Sequence, residues 1–297
     1  MSAPDAELAR AIQHALDRLL EALTLEPLDV DHYRAPSEPG RFADRIFGGQ
    51  SLAQALRAAS ATVSGKAPHS LHACFVQAGT AGQPVEIAVE RVRDGASVAT
   101  RRVNVDQGER RLLTALVSFH DGPELPALAR PAPEAPAPET LPRLQDWVAE
   151  IPPETRTLEQ RWIDQPPPLD LRIGEAPTFL GGSPSDGPRS HWLRVPRELG
   201  DDPALHPALL AYASDYLLLD MALRSHPERL AETPFTGFSL DHALWLHRPA
   251  RLDRWHLYTQ QTEALAGHRG LVRGSIHDAE GELVATAMQE VVVRPAR

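Results

Sequence analysis

The chain has 297 residues, of which 42% are hydrophobic, and a formal net charge of −10. This is long enough for two domains with sizeable cores. The acidic balance argues against a broad basic surface for nucleic acid, and no apolar run reaches the ~20 residues of a membrane-spanning helix. The N-terminal segment lacks the apolar core of a signal peptide, and the single cysteine, Cys74, excludes an internal disulfide. We therefore predict a cytoplasmic protein with no membrane span and no nucleic-acid partner.

The first half predicts two helices and a set of strands. Residues 5–25 carry apolar residues at three- and four-residue intervals, which indicates a helix, and residues 25–33 read as extended. An alanine-rich helix follows Gly48-Gly49, and its composition suits burial on most sides. Four strand-like segments separated by turn residues come next. They are residues 69–78, 84–93, 97–106 and 110–119.

Residues 121–168 differ in composition from the rest of the chain. Twelve prolines lie in this stretch. Because proline has no N–H to donate to a sheet, we predict a linker that is partly extended, with a short helix near 140–150. This divides the chain into an N-terminal domain, 1–120, and a C-terminal domain, 169–297.

The second half repeats the element order of the first. Residues 206–224 predict a long apolar helix, and four strand-like segments follow it. They are residues 237–248, 254–265, 268–277 and 283–294. The repeat indicates duplication of a unit in which an antiparallel sheet wraps an apolar helix, the hot-dog fold. We expect an α+β protein, a double hot dog whose two sheets pair edge to edge into one continuous sheet. Two unrelated α+β domains are the alternative.

Long segments of both halves resemble the acyl-CoA thioesterase II family of double hot-dog thioesterases. In the first half they are LTLEPLDVDHYRA, RIFGGQSLAQALRAA, HSLHACFVQAG and VERVRDGASVATRRV. In the second half they are LLAYASDYLLLDMAL, FSLDHALWLHRP and LVRGSIHDAEGELVATAMQE. The resemblance implies an enzyme that hydrolyses acyl-CoA to fatty acid and coenzyme A. It also implies that no cofactor or metal is needed, and that the chain forms a homo-oligomer, a dimer or tetramer.

The active site of this family uses a carboxylate, a hydroxyl and an amide to orient the attacking water. Carried over by position, these roles fall on Asp215 in AYASDYLL, Ser239 in SLDHALW and Gln289 in TAMQEV. Relatives often have threonine where Ser239 stands. The serine keeps the hydroxyl but loses the methyl group that restricts its rotamer.

The residues themselves fit this chemistry without requiring it. Asp215 interrupts an apolar run, so its carboxyl needs hydrogen bonds, and burial would raise its pKa as suits a base. The amide of Gln289 can both donate to and accept from a water molecule. Read alone, Asp215 could be satisfied by Ser214, Gln289 could face solvent and Ser239 could be a turn residue. The resemblance favours the catalytic interpretation.

Other polar features are less specific. The histidines His69, His72 and His242 fit no zinc-binding spacing and are predicted to support the core or the site. Asp241 and His242 are neighbours in a predicted strand, so they should point to opposite faces and cannot both line one site. Gly48-Gly49 could expose N–H groups at a helix start or allow tight packing, and packing is preferred.

A group of arginines in the second half has two open interpretations. Its members are Arg248, Arg251, Arg254, Arg269 and Arg273. They could contact the phosphates of coenzyme A or form a solvated face.

Three other functions are alternatives to hydrolysis by an oriented water. A nucleophile-based esterase lacks its G-x-S-x-G motif, and no phosphate-binding glycine loop occurs. A double hot-dog enoyl-CoA hydratase or dehydratase would share the fold. A non-catalytic acyl-CoA-binding protein is the third alternative, against which the retention of all three polar positions argues.

Overall fold

The computed structural model describes residues 3–40, 44–122, 128–156, 159–226 and 235–295. Within these ranges the chain forms six α-helices and 13 strands. The helices are α1 (Ala3–Ala22), α2 (Gly48–Ser60), α3 (Leu144–Glu150), α4 (Arg161–Asp164), α5 (Leu205–Ser214) and α6 (Leu218–Arg224). The strands of the first half are β1 (Glu26–Asp29), β2 (His32–Ala35), β3 (Ala67–Phe75), β4 (Val85–Asp94), β5 (Val98–Gln107) and β6 (Arg110–His120). Those of the second half are β7 (Asp170–Ile173), β8 (Arg189–Arg194), β9 (Phe235–Ser239), β10 (Asp241–Leu246), β11 (His256–Ala266), β12 (Arg269–Asp278) and β13 (Leu283–Pro295).

All these strands belong to one antiparallel sheet. Its order is β1-β2-β4-β5-β6-β3-β10-β13-β12-β11-β8-β7, and β9 pairs with β13 beside this path. The order runs symmetrically outward from the central pair, β3 and β10, so each half contributes six corresponding strands. The pair joins the halves from Asp241 opposite Cys74 to Trp245 opposite Ser70. The predicted α+β class and the single continuous sheet are confirmed, and neither half leaves this edge unpaired.

Helices α2 and α5 pack against each other within the core. Ten of the eleven α2 residues from Gly49 to Ala59 are buried, and Arg57 is the exception. Small residues allow this close approach: a Cβ added to Gly49 would lie 2.4 Å from the carbonyl oxygen of Tyr212 in α5. The prediction that α2 is buried on most sides is confirmed.

The prediction of one helix over 206–224 is wrong. Helix α5 ends at Ser214 and α6 begins at Leu218, and Leu217 between them has a left-handed φ of 65°. Left-handed backbone costs a non-glycine residue about 1–2 kcal/mol, so tertiary contacts must offset it. Apolar residues continue through the break and no glycine or proline marks it, so the pattern does not reveal it.

The strand predicted over 237–248 is two strands. Strand β9 pairs with β13 alone, whereas β10 pairs with both β3 and β13. The chain changes partners at Leu240, whose N–H donates to Glu290 and whose carbonyl accepts from Phe75. A periodicity of two runs through both strands and does not show this change of partner.

The short strands that precede the central helices were only partly predicted. The extended segment at 25–33 forms β1 and β2, but the corresponding β7 and β8 of the second half were not predicted. They are only 4 and 6 residues long, and they follow the proline-rich stretch. The short helix expected near 140–150 is α3.

The predicted division into 1–120, 121–168 and 169–297 stays a prediction. Among the described residues, no helix is both long enough and apolar enough to cross a membrane.

The contact between α2 and α5 predicts a specific loss of stability. Gly49→Ala should lower the free energy of unfolding by about 1–3 kcal/mol, because its methyl group would meet the Tyr212 carbonyl. Gly200→Ala is the matched control, since nothing lies within 4 Å of an added Cβ there. Urea unfolding of both variants measures this, and equal midpoints for Gly49→Ala and the parent would contradict the contact.

Candidate active site

Asp215 lies in the gap between α5 and α6, where it is 9% exposed. Its carboxyl faces the start of α2: a Cβ added to Gly48 would lie 2.7 Å from Oδ2 of Asp215. The backbone N–H of Gly49 hydrogen-bonds to the same carboxyl. The glycine pair therefore allows tight packing and also leaves an N–H group exposed at the helix start. That N–H group, from Gly49, is directed at Asp215.

Gln289 connects the three predicted site residues. It lies on β13 and is 1% exposed, and its Nε2 donates to the hydroxyl of Ser239 at 2.9 Å. Its side chain also hydrogen-bonds to Asp215. Ser239 is brought into place by the pairing of β9 with β13, in which it lies opposite Val291. The structure thus places Asp215, Ser239 and Gln289 together around one amide group.

His242 belongs to the same network, which the sequence did not establish. It is 1% exposed on β10, with Nδ1 2.5 Å from Oε1 of Gln289 and Nε2 2.9 Å from the hydroxyl of Ser214. Burial lowers the pKa of His242 to about 4, so the ring is neutral near pH 7. With Nδ1–H donating to Gln289, Nε2 is an acceptor, and the Ser214 hydroxyl shares its hydrogen between Nε2 and the Ala211 carbonyl, each 2.9 Å away. This arrangement turns the amide nitrogen of Gln289 towards Asp215 and Ser239.

The two neighbours Asp241 and His242 do not share a site. Asp241 accepts a hydrogen bond from the backbone N–H of Glu290 at 2.8 Å, while His242 is buried on the other face of β10. This is the alternation predicted from the sequence. The alternation was also the signal that could have identified His242, because it places this ring on the buried face.

The pKa of Asp215 is raised from its ordinary value of 3.8 to about 7, chiefly by burial. The hydrogen bonds from Gln289 and Gly49 act in the opposite direction. At neutral pH, a carboxyl with a pKa of about 7 is deprotonated in a large fraction of molecules, and its carboxylate is basic enough to accept a proton from water.

The remaining candidate residues lie outside this network. His69 contacts the hydroxyl of Ser118 at 2.9 Å, and His72 packs against Trp245. Among the described residues, no group of three or more His, Cys, Asp or Glu side chains is placed to hold a metal ion.

Each arginine of the second-half group pairs with a carboxylate. The pairs are Arg248–Glu282, Arg251–Asp253, Arg254–Glu198, Arg269–Glu290 and Arg273–Glu263, with N–O distances from 2.6 to 3.1 Å. An ion-paired face fits these contacts better than a site for coenzyme A phosphates.

Comparison with known proteins identifies the family. Residues 36–120 match the family model of the acyl-CoA thioesterase N-terminal domain, and residues 126–293 match that of the C-terminal domain. Acyl-coenzyme A thioesterase 8 of Mus musculus is 35% identical over 281 residues, which span 92% of this chain and 87% of that protein. The chain belongs to the acyl-CoA thioesterase II family.

Solved structures of this thioesterase fold agree. The crystal structure of acyl-CoA thioesterase II TesB2 from Mycobacterium marinum is 36% identical, covers 94% of this chain and 98% of its own, and superposes with a TM-score of 0.74. A hot-dog-fold protein from Alicyclobacillus acidocaldarius is 18% identical, covers 94% and 98%, and has a TM-score of 0.73, which supports the fold alone. The predicted double hot dog and the predicted thioester hydrolase are both confirmed.

The raised pKa of Asp215 makes the stability of this thioesterase depend on pH. In the folded protein Asp215 keeps its proton up to about pH 7, whereas the unfolded chain loses it near pH 3.8. The folded state is therefore destabilised as the pH rises through this window, by up to roughly 4 kcal/mol. Asp215→Asn is neutral throughout and should gain stability relative to the parent as the pH rises.

Urea unfolding of the parent and Asp215→Asn at about pH 5 and about pH 8 tests this prediction. His242 titrates in both proteins, so its contribution cancels in the difference. A difference in free energy of unfolding that does not change with pH would show that Asp215 is not a high-pKa carboxyl.

Proposed function

We propose that Asp215, Ser239 and Gln289 orient and activate the water that hydrolyses the acyl-CoA thioester. The observation that carries this proposal is the meeting of all three side chains around the Gln289 amide, beside a carboxyl whose pKa is raised to about 7. Membership of the family indicates which reaction is catalysed, and the residues of the site are chemically suited to that reaction.

The reaction proceeds by addition and elimination. The Asp215 carboxylate accepts a proton from water while the water oxygen bonds to the thioester carbonyl carbon. The tetrahedral intermediate then collapses with cleavage of the carbon–sulfur bond, and the proton on Asp215 passes to the departing thiolate. The products are a fatty acid and coenzyme A, and Asp215 is regenerated as the carboxylate.

Ser239 and Gln289 hold the water in line for attack. Because the Ser239 oxygen accepts from Gln289, its own hydrogen is free to be donated to the water or the carbonyl. His242 fixes which end of the Gln289 amide faces the site. Positioning by these groups lowers the entropic part of the barrier.

The activity test is release of free thiol from acyl-CoAs ranging from acetyl to palmitoyl. Asp215→Asn should reduce kcat/KM by at least about a hundredfold, because it removes the base. Ser239→Thr should stay within about threefold of the parent, whereas Ser239→Ala should lose about tenfold or more. In the parent, kcat/KM should fall below about pH 7 as Asp215 becomes protonated.

Asp241→Asn is the matched control for Asp215→Asn. Asp241 lies on the face of β10 opposite His242, so its substitution should leave the rate of hydrolysis unchanged. Full activity in Asp215→Asn would remove Asp215 from the mechanism. A folded parent that releases no thiol from any substrate would favour the hydratase or the acyl-CoA-binding protein.

We also propose a cytoplasmic homo-oligomer, a dimer or tetramer, that acts on fatty acyl-CoA in lipid metabolism. Supporting assembly, Val76 and Leu116 are 51% and 47% exposed on the first-half sheet and its adjoining loop. A partner chain that covered these two side chains would remove apolar surface from water. Light scattering should give a mass of two or four chains, and the mass of one chain would contradict this proposal.

A further inference from the structure

Three side chains of β11 form a row of donors along the broken helix. The bonds are Tyr258 Oη to the Ser214 carbonyl (2.7 Å), Gln260 Nε2 to the Tyr216 carbonyl (2.7 Å) and Thr262 Oγ1 to the Met221 carbonyl (2.9 Å). Alternate residues of a strand share a face, so the three donors follow one another in the same order as their acceptors. We call these three side chains the β11 donor row.

The first two donors serve the break itself. Ser214 is the last residue of α5, and Tyr216 lies between Asp215 and the left-handed Leu217. In an unbroken helix these carbonyls would accept from N–H groups four residues ahead. A buried carbonyl needs a partner, and Tyr258 and Gln260, both 0% exposed, provide one to each.

Tyr258 is held rigidly in this role. A Cβ added to Gly274, on the neighbouring β12, would lie 2.3 Å from the Tyr258 ring, so only glycine leaves space for it. The ring of His191 on β8 packs on it with a centroid distance of 5.2 Å. The hydroxyl is therefore fixed from two neighbouring strands.

We propose that Tyr258 and Gln260 are positioning residues of the thioesterase reaction. They hold the break between α5 and α6 in the shape that directs the Asp215 carboxyl at Gly49 and Gln289. This inference rests on the proposed role of Asp215 as the base. Neither residue is proposed to touch the substrate, because each acts through the backbone on either side of Asp215.

The donor row contains its own control. Thr262 makes the same kind of bond, but to a carbonyl within α6, beyond the break. Tyr258→Phe and Thr262→Val each remove one hydroxyl that donates to a backbone carbonyl of the same helix pair. They differ in whether that carbonyl adjoins Asp215.

The first measurement is kcat and KM of Tyr258→Phe, Gln260→Met and Thr262→Val. We expect the first two to lower kcat about tenfold with KM nearly unchanged, the equivalent of one lost hydrogen bond at the transition state. Thr262→Val should stay within about twofold. Unfolding midpoints measured alongside will show how much folded enzyme each assay contains.

The second measurement is the pH dependence of kcat/KM. The bonds from Gln289 and Gly49 lower the pKa of Asp215, so weakening them should move the acidic limb of Tyr258→Phe to higher pH. Among the described residues, the titratable groups that interact with Asp215 include Tyr258 and, through Gln289, His242. Burial raises the pKa of Tyr258 and lowers that of His242 to about 4, so Tyr258→Phe removes no charge in this range. A loss of stability alone would scale the profile without moving the limb.

The third measurement is a double-mutant cycle with Leu217→Gly. Glycine adopts the left-handed conformation without strain, so the break should depend less on Tyr258 in that background. Tyr258→Phe should then cost a smaller factor in kcat than it does in the parent.

Equal losses for Tyr258→Phe and Thr262→Val, or an unmoved acidic limb in Tyr258→Phe, would overturn the positioning role. Failure of the proposed function is distinguishable, because it would appear in the parent and in Asp215→Asn. If Asp215→Asn retains activity, Asp215 is not the base. If it is inactive while Tyr258→Phe matches the parent, only the positioning role fails.

Discussion

The contact between the Asp215 carboxyl and the start of α2 constrains most of the structure. A carboxyl can lie against the backbone of a neighbouring helix only where no side chain intervenes, and Gly48 and Gly49 provide that space. Two buried helices must then cross closely, which requires alanine-rich surfaces on α2 and α5. The two sheets that carry these helices must be fixed relative to each other, and the β3–β10 pair does this.

Duplication followed by divergence explains how the site is divided. Both halves have two short strands, a buried helix and a set of long strands, but α2 is continuous whereas its counterpart is broken into α5 and α6. The first half contributes the Gly49 N–H. The second contributes Asp215, Ser239 and Gln289. Neither half alone contains the whole network, so the network forms only when the β3–β10 pair joins the two halves.

Element order could be predicted from the sequence, because periodicity carries that information, and the resemblance of long segments pointed to Asp215, Ser239 and Gln289, which the structure brings together. The helix break could not. Leu217 gives no sign of left-handed backbone, and the donors to Ser214 and Tyr216 come from side chains 44 residues further along the chain. The role of His242 was hidden for a similar reason: its ring meets Gln289 only after β10 and β13 pair. Tertiary contacts decided both features.

A second buried aspartate shows what kind of environment Asp215 has. Asp220, on α6, is ion-paired with the buried Arg189 at 2.6 Å and accepts the N–H groups of Thr178 and Phe179. One carboxylate of this helix pair therefore has a full opposite charge beside it, which strand β8 provides. Asp215 instead meets neutral groups, the Gln289 amide and the Gly49 N–H. An arginine beside Asp215 would stabilise its anion and lower its pKa, which would make it weaker in the proposed role of base. Neutral partners orient the carboxyl and leave burial to set its basicity near neutral pH.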